Sequence, residues 1–319
     1  MLWNSGSQPQ ELSDAELLQR VSDGAPDAFG VLQRRHERAA WAYASTCLKS
    51  PGDAQAVTAY ALTGLRLRIG RAETGESCVR VSILNSIRGV AIQWAALNPT
   101  MLTPSFGRWV GGGAVWSLTE DAELRSAFEE LPGADQCLLW HSIVEGDSPA
   151  TVGGIVGIPA GGVSEYVAQA VHSLRRGCAE RYASRLDRED CLGFVNAVVF
   201  GSAESWADAA DTTHLRECPE CREVFWELRN LSVRLPARLP QRLLGWWPAD
   251  AYRSAKYEVA GATAPVSAAA RRTRGAFPRV ARSGRRRRAR PPGYWYVAAL
   301  GFLLVLVAFG LYALAAKRP

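Results

Sequence analysis

Residues 294–316 carry no charged side chain, and nothing else in the chain restricts its folding choices so sharply. At ~1.5 Å per helical residue, the run spans the ~30 Å hydrocarbon core of a bilayer. Tyr294, Trp295 and Tyr296 open it and suit the headgroup interface. Immediately upstream lies Arg285-Arg286-Arg287-Arg288-Ala289-Arg290. Short arginine-rich flanks stay in the cytoplasm, so a single-pass transmembrane helix over 293–316 is expected, with the N-terminal body cytoplasmic. Residues 1–10 contain no apolar run, so no secretory signal is expected ahead of that body.

Charge is divided along the chain in the same way. The formal net charge of the 319 residues is +6, yet residues 271–319 alone carry +12, leaving −6 for residues 1–270. The basic character belongs to the tail, where it suits anionic lipid, and is no argument for nucleic-acid binding by the body. Seven cysteines, an odd number on the cytoplasmic side of a membrane, do not form a disulfide framework. Cys47, Cys78, Cys137 and Cys178 fall singly in apolar periodic stretches and read as core residues.

The body reads as helix throughout. Ser13 and Glu16 make a capping-box pattern ahead of Leu17, Leu18 and Val21. Phe29, Leu32, His36, Ala39, Tyr43 and Cys47 recur at spacings of three and four, one face of a second helix. Pro51-Gly52-Asp53 recaps a third helix to about residue 69, and a fourth covers 76–97. Residues 99–119, with Gly111-Gly112-Gly113, read as a linker. Helices are expected again over 122–131, 135–144, 149–156 and from about 160 to 182. The last two are joined by Gly157-Ile158-Pro159, with Val152, Ile155, Val163, Val167 and Val171 inward, which is a helix-turn-helix pattern. Residues 186–234 form a small unit, and 235–292, rich in Ala, Arg and Pro, read as a flexible basic tether. No Gly-rich phosphate loop follows a strand and no Gly-x-Ser-x-Gly elbow appears, so enzymatic activity is not expected.

Asp14-Ala15-Glu16-Leu17-Leu18, Asp27-Ala28-Phe29 and Arg34-Arg35-His36 make residues 11–98 resemble region 2 of extracytoplasmic-function RNA polymerase sigma factors. Leu131-Pro132, Val144-Glu145-Gly146, Ser148 and Gly157-Ile158-Pro159 make 120–184 resemble region 4 of the same family. The segment 186–234, with His214-x3-Cys218-x2-Cys221, is similar to the family's zinc-binding anti-sigma domain. The resemblance implies two sigma-type helical domains, a small zinc domain packed against them, and one transmembrane helix. It also implies core RNA polymerase and promoter DNA as partners, an intramolecular sigma/anti-sigma contact, and a signal arriving through a membrane partner.

His214, Cys218 and Cys221 lie at i, i+4 and i+7, one side of a helical start, with donor atoms suited to structural Zn²⁺. A fourth ligand is needed, and Cys191 lies 23 residues before His214, near the spacing the resemblance implies. For DNA, the resemblance leaves Arg80, Arg88, Gln93 and Trp94 in the fourth helix and Ser164, Tyr166, Arg175 and Arg176 in the recognition helix. For polymerase it leaves Asp53 and Gln55. The pattern is thinned: Ala56, Thr58, Ala59 and Tyr60 stand where acids and amides are expected, and Glu165 stands where a base is expected. A carboxylate is repelled by phosphates, which supply much of the affinity of a DNA binder. The expected function is a membrane-tethered sigma-like initiation regulator checked by its own anti-sigma part. The alternative is a sigma-derived regulator that binds another sigma or anti-sigma factor and does not initiate.

Overall fold

The computed structural model describes residues 12–71, 77–114, 122–200 and 213–262. These contain helices and a single isolated bridge between Leu48 and Leu102, with no strand, so the all-α expectation holds for them. The segment expected to cross a membrane, 293–316, lies outside the described residues. Among those that are described, no helix is long and apolar enough to cross one.

The first half is built from α1 (Asp14–Ser22), α2 (Pro26–Cys47), α3 (Pro51–Gly70) and α4 (Val79–Leu97). The capping box at the start of α1 forms: the Glu16 amide donates to Ser13 Oγ, and the Ser13 amide donates to Glu16 Oε2 at 2.8 Å. Proline occupies the first turn of both α2 and α3, where no amide hydrogen is needed. The α2 face from Phe29 to Cys47 is buried at every expected position.

Residues 99–114 depart from the linker expectation, while 115–119 lie outside the described residues. Thr103 caps a further helix, α5 (Pro104–Gly111), whose Phe106 is fully buried. Phe106, Trp109 and Val110 fall at i, i+3 and i+4, but eight residues among glycines and prolines are too short for that period to stand out in the sequence.

The second half holds α6 (Ala122–Glu129), α7 (Gly133–Leu138), α8 (Pro149–Val156) and α9 (Val163–Ala183). After α7 the chain widens into a π turn over Leu139–Glu145, ended by Gly146 in the left-handed region. The turn between α8 and α9 depends on two glycines. Gly157 has φ +85°, and a Cβ on Gly153 would lie 2.5 Å from the Ile158 carbonyl oxygen. Val152, Ile155, Val163 and Val171 are buried as expected, with Val167 half-buried.

The largest correction concerns the tether. Beyond α10 (Glu189–Phe200), α11 (Thr213–Glu217) and α12 (Pro219–Arg229), the chain does not loosen at residue 235. It continues as α13 (Leu231–Leu244) and α14 (Ala249–Ala262). Leu231, Leu235, Leu239 and Leu243 bury one face of α13 against α4, α6 and the π turn, while α14 lies along α2. Between them Trp246 and Trp247 enter the core: Tyr43 donates to the Trp246 carbonyl at 2.9 Å, and the Trp247 ring meets that of Trp140 at 5.4 Å. One continuous apolar core thus runs from α2 through the second half to α14. The two expected domains form a single body, which α13 and α14 close.

Candidate functional site

Three helices bring the expected metal ligands together. Cys191 sits in the first turn of α10, His214 in α11, Cys218 just before α12 and Cys221 in its first turn. One donor atom from each lies within 4.8 Å of the other three, and the Cys191 and Cys218 sulfurs are 4.0 Å apart. In a tetrahedron with metal–sulfur bonds of ~2.3 Å the sulfurs are about 3.8 Å apart, so the pocket needs little adjustment to close on an ion. Cys191, Cys218 and Cys221 are buried, and His214 Nε2 is buried without a hydrogen-bond partner. Phe194 stacks on the His214 ring at 5.1 Å, and Tyr182 of α9 places its hydroxyl 3.7 Å from Cys221 Sγ. Burial and the neighbouring sulfurs push the Cys221 thiol up to about 12. Thiols gathered this closely give up their protons together only to a cation. Cys191, His214, Cys218 and Cys221 could therefore hold a metal ion.

A second cluster, His141, Glu145 and Asp147, also brings three candidate ligand atoms within 4.8 Å. Its charges are already matched. Glu145 Oε2 accepts from Arg80 Nη1 at 2.6 Å and from Lys256 Nζ at 2.7 Å. Its Oε1 accepts from the Tyr252 hydroxyl at 2.7 Å and from Trp140 Nε1 at 2.9 Å. Lys256 also reaches Asp147, which accepts from His141 Nδ1 at 2.9 Å. Arg80 Nε donates to His36 Nδ1 at 3.0 Å, which makes Nε2 the protonated nitrogen of His36, donating to Asp14 at 2.7 Å. Arg35 binds the other Asp14 oxygen.

With two cations in place, this is an ion network joining α1, α2, α4, the π turn and α14, and it leaves a metal no role. Burial opposes the charge on Glu145, but Arg80, His141 and Lys256 hold its carboxyl well below the usual range. Burial likewise opposes Asp14, which His36 and Arg35 hold down, and burial keeps His36 itself neutral by lowering its pKa.

The residues expected to meet DNA are dispersed. Arg80 is buried in the ion network, and Arg88 donates to the Leu244 carbonyl at the end of α13 at 2.5 Å. In this conformation the guanidinium groups of both are engaged inside the protein. Arg175 donates to the Leu228 carbonyl at 2.8 Å, and Arg176 pairs with Glu180 one turn on. Gln93, Ser164 and Tyr166 are exposed and Trp94 is half-buried. Glu165 stands beside Ser164 and Tyr166 on the open first turn of α9. On α3, Gln55 is exposed and Asp53 half-buried.

Sequence reasoning missed His141, Asp147, Tyr252 and Lys256. His141 and Glu145 do carry a signal, since a spacing of four is close to one turn of the widened helix; Asp147 is brought back to His141 by the left-handed Gly146 between them. Comparison with protein-family models, with curated proteins and with solved structures finds no match for this chain.

Proposed function

We propose that this chain is a sigma-factor-like regulator of transcription initiation, held closed by its own metal-binding C-terminal part. The observation that carries this reading is the position of Arg80 and Arg88. The two arginines that the resemblance assigns to promoter DNA are drawn inward, one by Glu145 beside Tyr252 and Lys256 of α14, the other by the end of α13. Phosphate contacts supply much of the affinity of any DNA binder, so a form that spends these cations internally binds promoter DNA poorly. Releasing α13 and α14 takes the Leu243 and Leu244 carbonyls away from Arg88 and removes two of the four donors on Glu145, and it uncovers the core faces of α2 and α4.

The ion held by Cys191, His214, Cys218 and Cys221 is Zn²⁺ in this proposal. Three sulfurs and one nitrogen in a closed, buried set suit a structural zinc, which organises α10–α12 against α9. Residues 293–316 anchor the body at the cytoplasmic face of the cell membrane, with the arginines of 271–290 against anionic headgroups. The signal enters through a partner helix or by cutting between 263 and 292.

One observation favours the alternative, a sigma-derived regulator that binds another sigma or anti-sigma factor. The exposed first turn of α9 presents Glu165 to any approaching phosphate. A single comparison separates the two readings. The fragment 1–185 should co-purify with core RNA polymerase and support transcription from some promoter, and 1–290 should bind at least several-fold more weakly. Binding of neither fragment would leave the alternative, and equal binding would exclude inhibition in cis.

A further inference from the structure

A small cavity of about 120 Å³ lies in the seam where α12 and α13 meet α6 and α9. Its wall is apolar: Leu124 of α6, Cys178 of α9, Val224 and Leu228 of α12, and Leu231 and Leu235 of α13. All of these but Val224 are buried. The remaining lining is Tyr182 and five charged side chains, Arg185, Arg234 and Arg238 set against Glu123 and Glu227. None of the four metal ligands lines it.

The charges of the lining do not balance, since three guanidinium groups face two carboxylates. Arg185 takes Glu123 at 2.7 Å. Arg234 and Arg238, one turn apart on α13, both donate to the same oxygen of Glu227, at 3.1 Å and 2.9 Å. One carboxylate thus serves two guanidinium groups, and their convergence attracts a further acceptor oxygen. The Arg234 side chain is 44% exposed, that of Arg238 38% and that of Glu227 37%, so an anion reaches them from solvent. Exposed ion pairs of this kind hold their geometry weakly, and an incoming anion can rearrange them. A cation would meet repulsion here, and an uncharged ligand would leave the surplus positive charge unmatched.

We propose that this cavity binds a short amphipathic anion, an alkyl chain carrying a carboxylate or phosphate head group. The chain lies against the leucines of α6, α12 and α13, and the head group accepts hydrogen bonds from Arg234 and Arg238. At the ~30 Å³ that a water-sized group occupies, 120 Å³ encloses about four methylene-sized groups. Only a short stretch of chain is therefore enclosed. The walls come from α6 and α9 on one side and from α12 and α13 on the other. A ligand seated there ties α13 to the body and stabilises, by mass action, the form in which those walls meet. The inference rests on this seam alone and stands apart from the transcription reading.

The test uses the full chain, loaded with zinc and held in lipid nanodiscs, with a diazirine derivative of hexanoate as photoprobe and peptide mass spectrometry as the readout. Crosslinks are expected on peptides containing Leu124, Cys178, Leu228 or Leu235. Hexanoate and hexyl phosphate should compete at least tenfold better than hexanol or hexylamine, and the tighter of the two anions identifies the head group. Arg234→Gln/Arg238→Gln should weaken capture at least tenfold while zinc content and the near-ultraviolet spectrum stay as in wild type. The proposal is overturned if hexanol competes as well as the two anions, or if crosslinks fall only outside this seam. Capture by the folded double variant equal to that by wild type overturns it as well. Competition on wild-type protein decides even where the double variant does not fold.

Discussion

Glu145→Gln removes the charge on which both halves and α14 converge, while keeping side-chain size. In the native network its two oxygens accept four hydrogen bonds, at 2.6 Å from Arg80, 2.7 Å from Lys256, 2.7 Å from Tyr252 and 2.9 Å from Trp140. Glutamine offers one oxygen and turns an amide N–H₂ toward the other donors, so two of the four lose their acceptor. Lys256 retains Asp147, but Arg80 loses the carboxylate it touches and, whichever way the amide turns, is left as a buried cation among neutral acceptors such as the His36 nitrogen and the Arg35 carbonyl. Breaking a buried ion pair from one side costs about 3–5 kcal/mol, most of it from the stranded charge. Against a total stability of about 5–15 kcal/mol, that is a large fraction. In urea, followed by near-ultraviolet circular dichroism of the full chain in detergent, the midpoint should fall by roughly 1–2 M. The double variant Glu145→Leu/Arg80→Met, which strands no arginine, should recover a good part of the loss. A midpoint within about 0.3 M of wild type for Glu145→Gln, or a double variant whose cost is the sum of the two single ones, would refute this reasoning.

Gly153→Ala should cost about 1–3 kcal/mol, because its Cβ would lie 2.5 Å from the Ile158 carbonyl in the α8–α9 turn; Gly154→Ala, with open space around it, should cost far less, and urea unfolding of the pair checks both. Stability should fall with acid in two stages. The His36 pKa is lowered by burial, so its contribution is complete above the unfolded value of ~6.5 and is lost as pH falls below it; Asp14 and Glu145, also lowered in the fold, act below the unfolded carboxylate range near ~4. His36→Gln should remove the first stage and also shrink the second, because His36 helps to hold the Asp14 carboxyl down, in unfolding curves taken between pH 7 and pH 3. Removing a metal ligand by Cys191→Ser should weaken zinc retention against a chelator by roughly tenfold or more and loosen α10–α12, as metal analysis and limited proteolysis would report.

The helices of the first half were legible because their apolar faces are long: six α2 positions at spacings of three and four leave little choice. The metal ligands were legible because chemistry and spacing coincide in one short motif. The closing helices were not. Pro236 and Pro240 lie inside α13, and the arginines and alanines around them resemble a linker, yet Leu231, Leu235, Leu239 and Leu243 mark one helical face. Two prolines four residues apart take their ring bulk on one side and leave that leucine face intact. The ion network was hidden for another reason. Its members come from Asp14 to Lys256, and only packing unites them; from sequence, Arg80 reads as readily as a phosphate contact as it does as the partner of a distant glutamate. Cys78 and Cys137 were read correctly as buried.

The central proposal is that α13 and α14 hold the body closed over the core faces of α2 and α4, and that polymerase binds the opened form more tightly. It is tested most directly in the intact chain, by loosening α14 and measuring affinity for core RNA polymerase. Tyr252→Ala/Lys256→Met removes two of the four donors to Glu145 and the fully buried ring that packs against Trp247 at 4.7 Å. Binding followed by fluorescence anisotropy should tighten at least several-fold over wild type, while zinc content stays at one ion per chain. Unchanged affinity, in a variant whose near-ultraviolet spectrum shows the Trp247 environment released, would contradict the account.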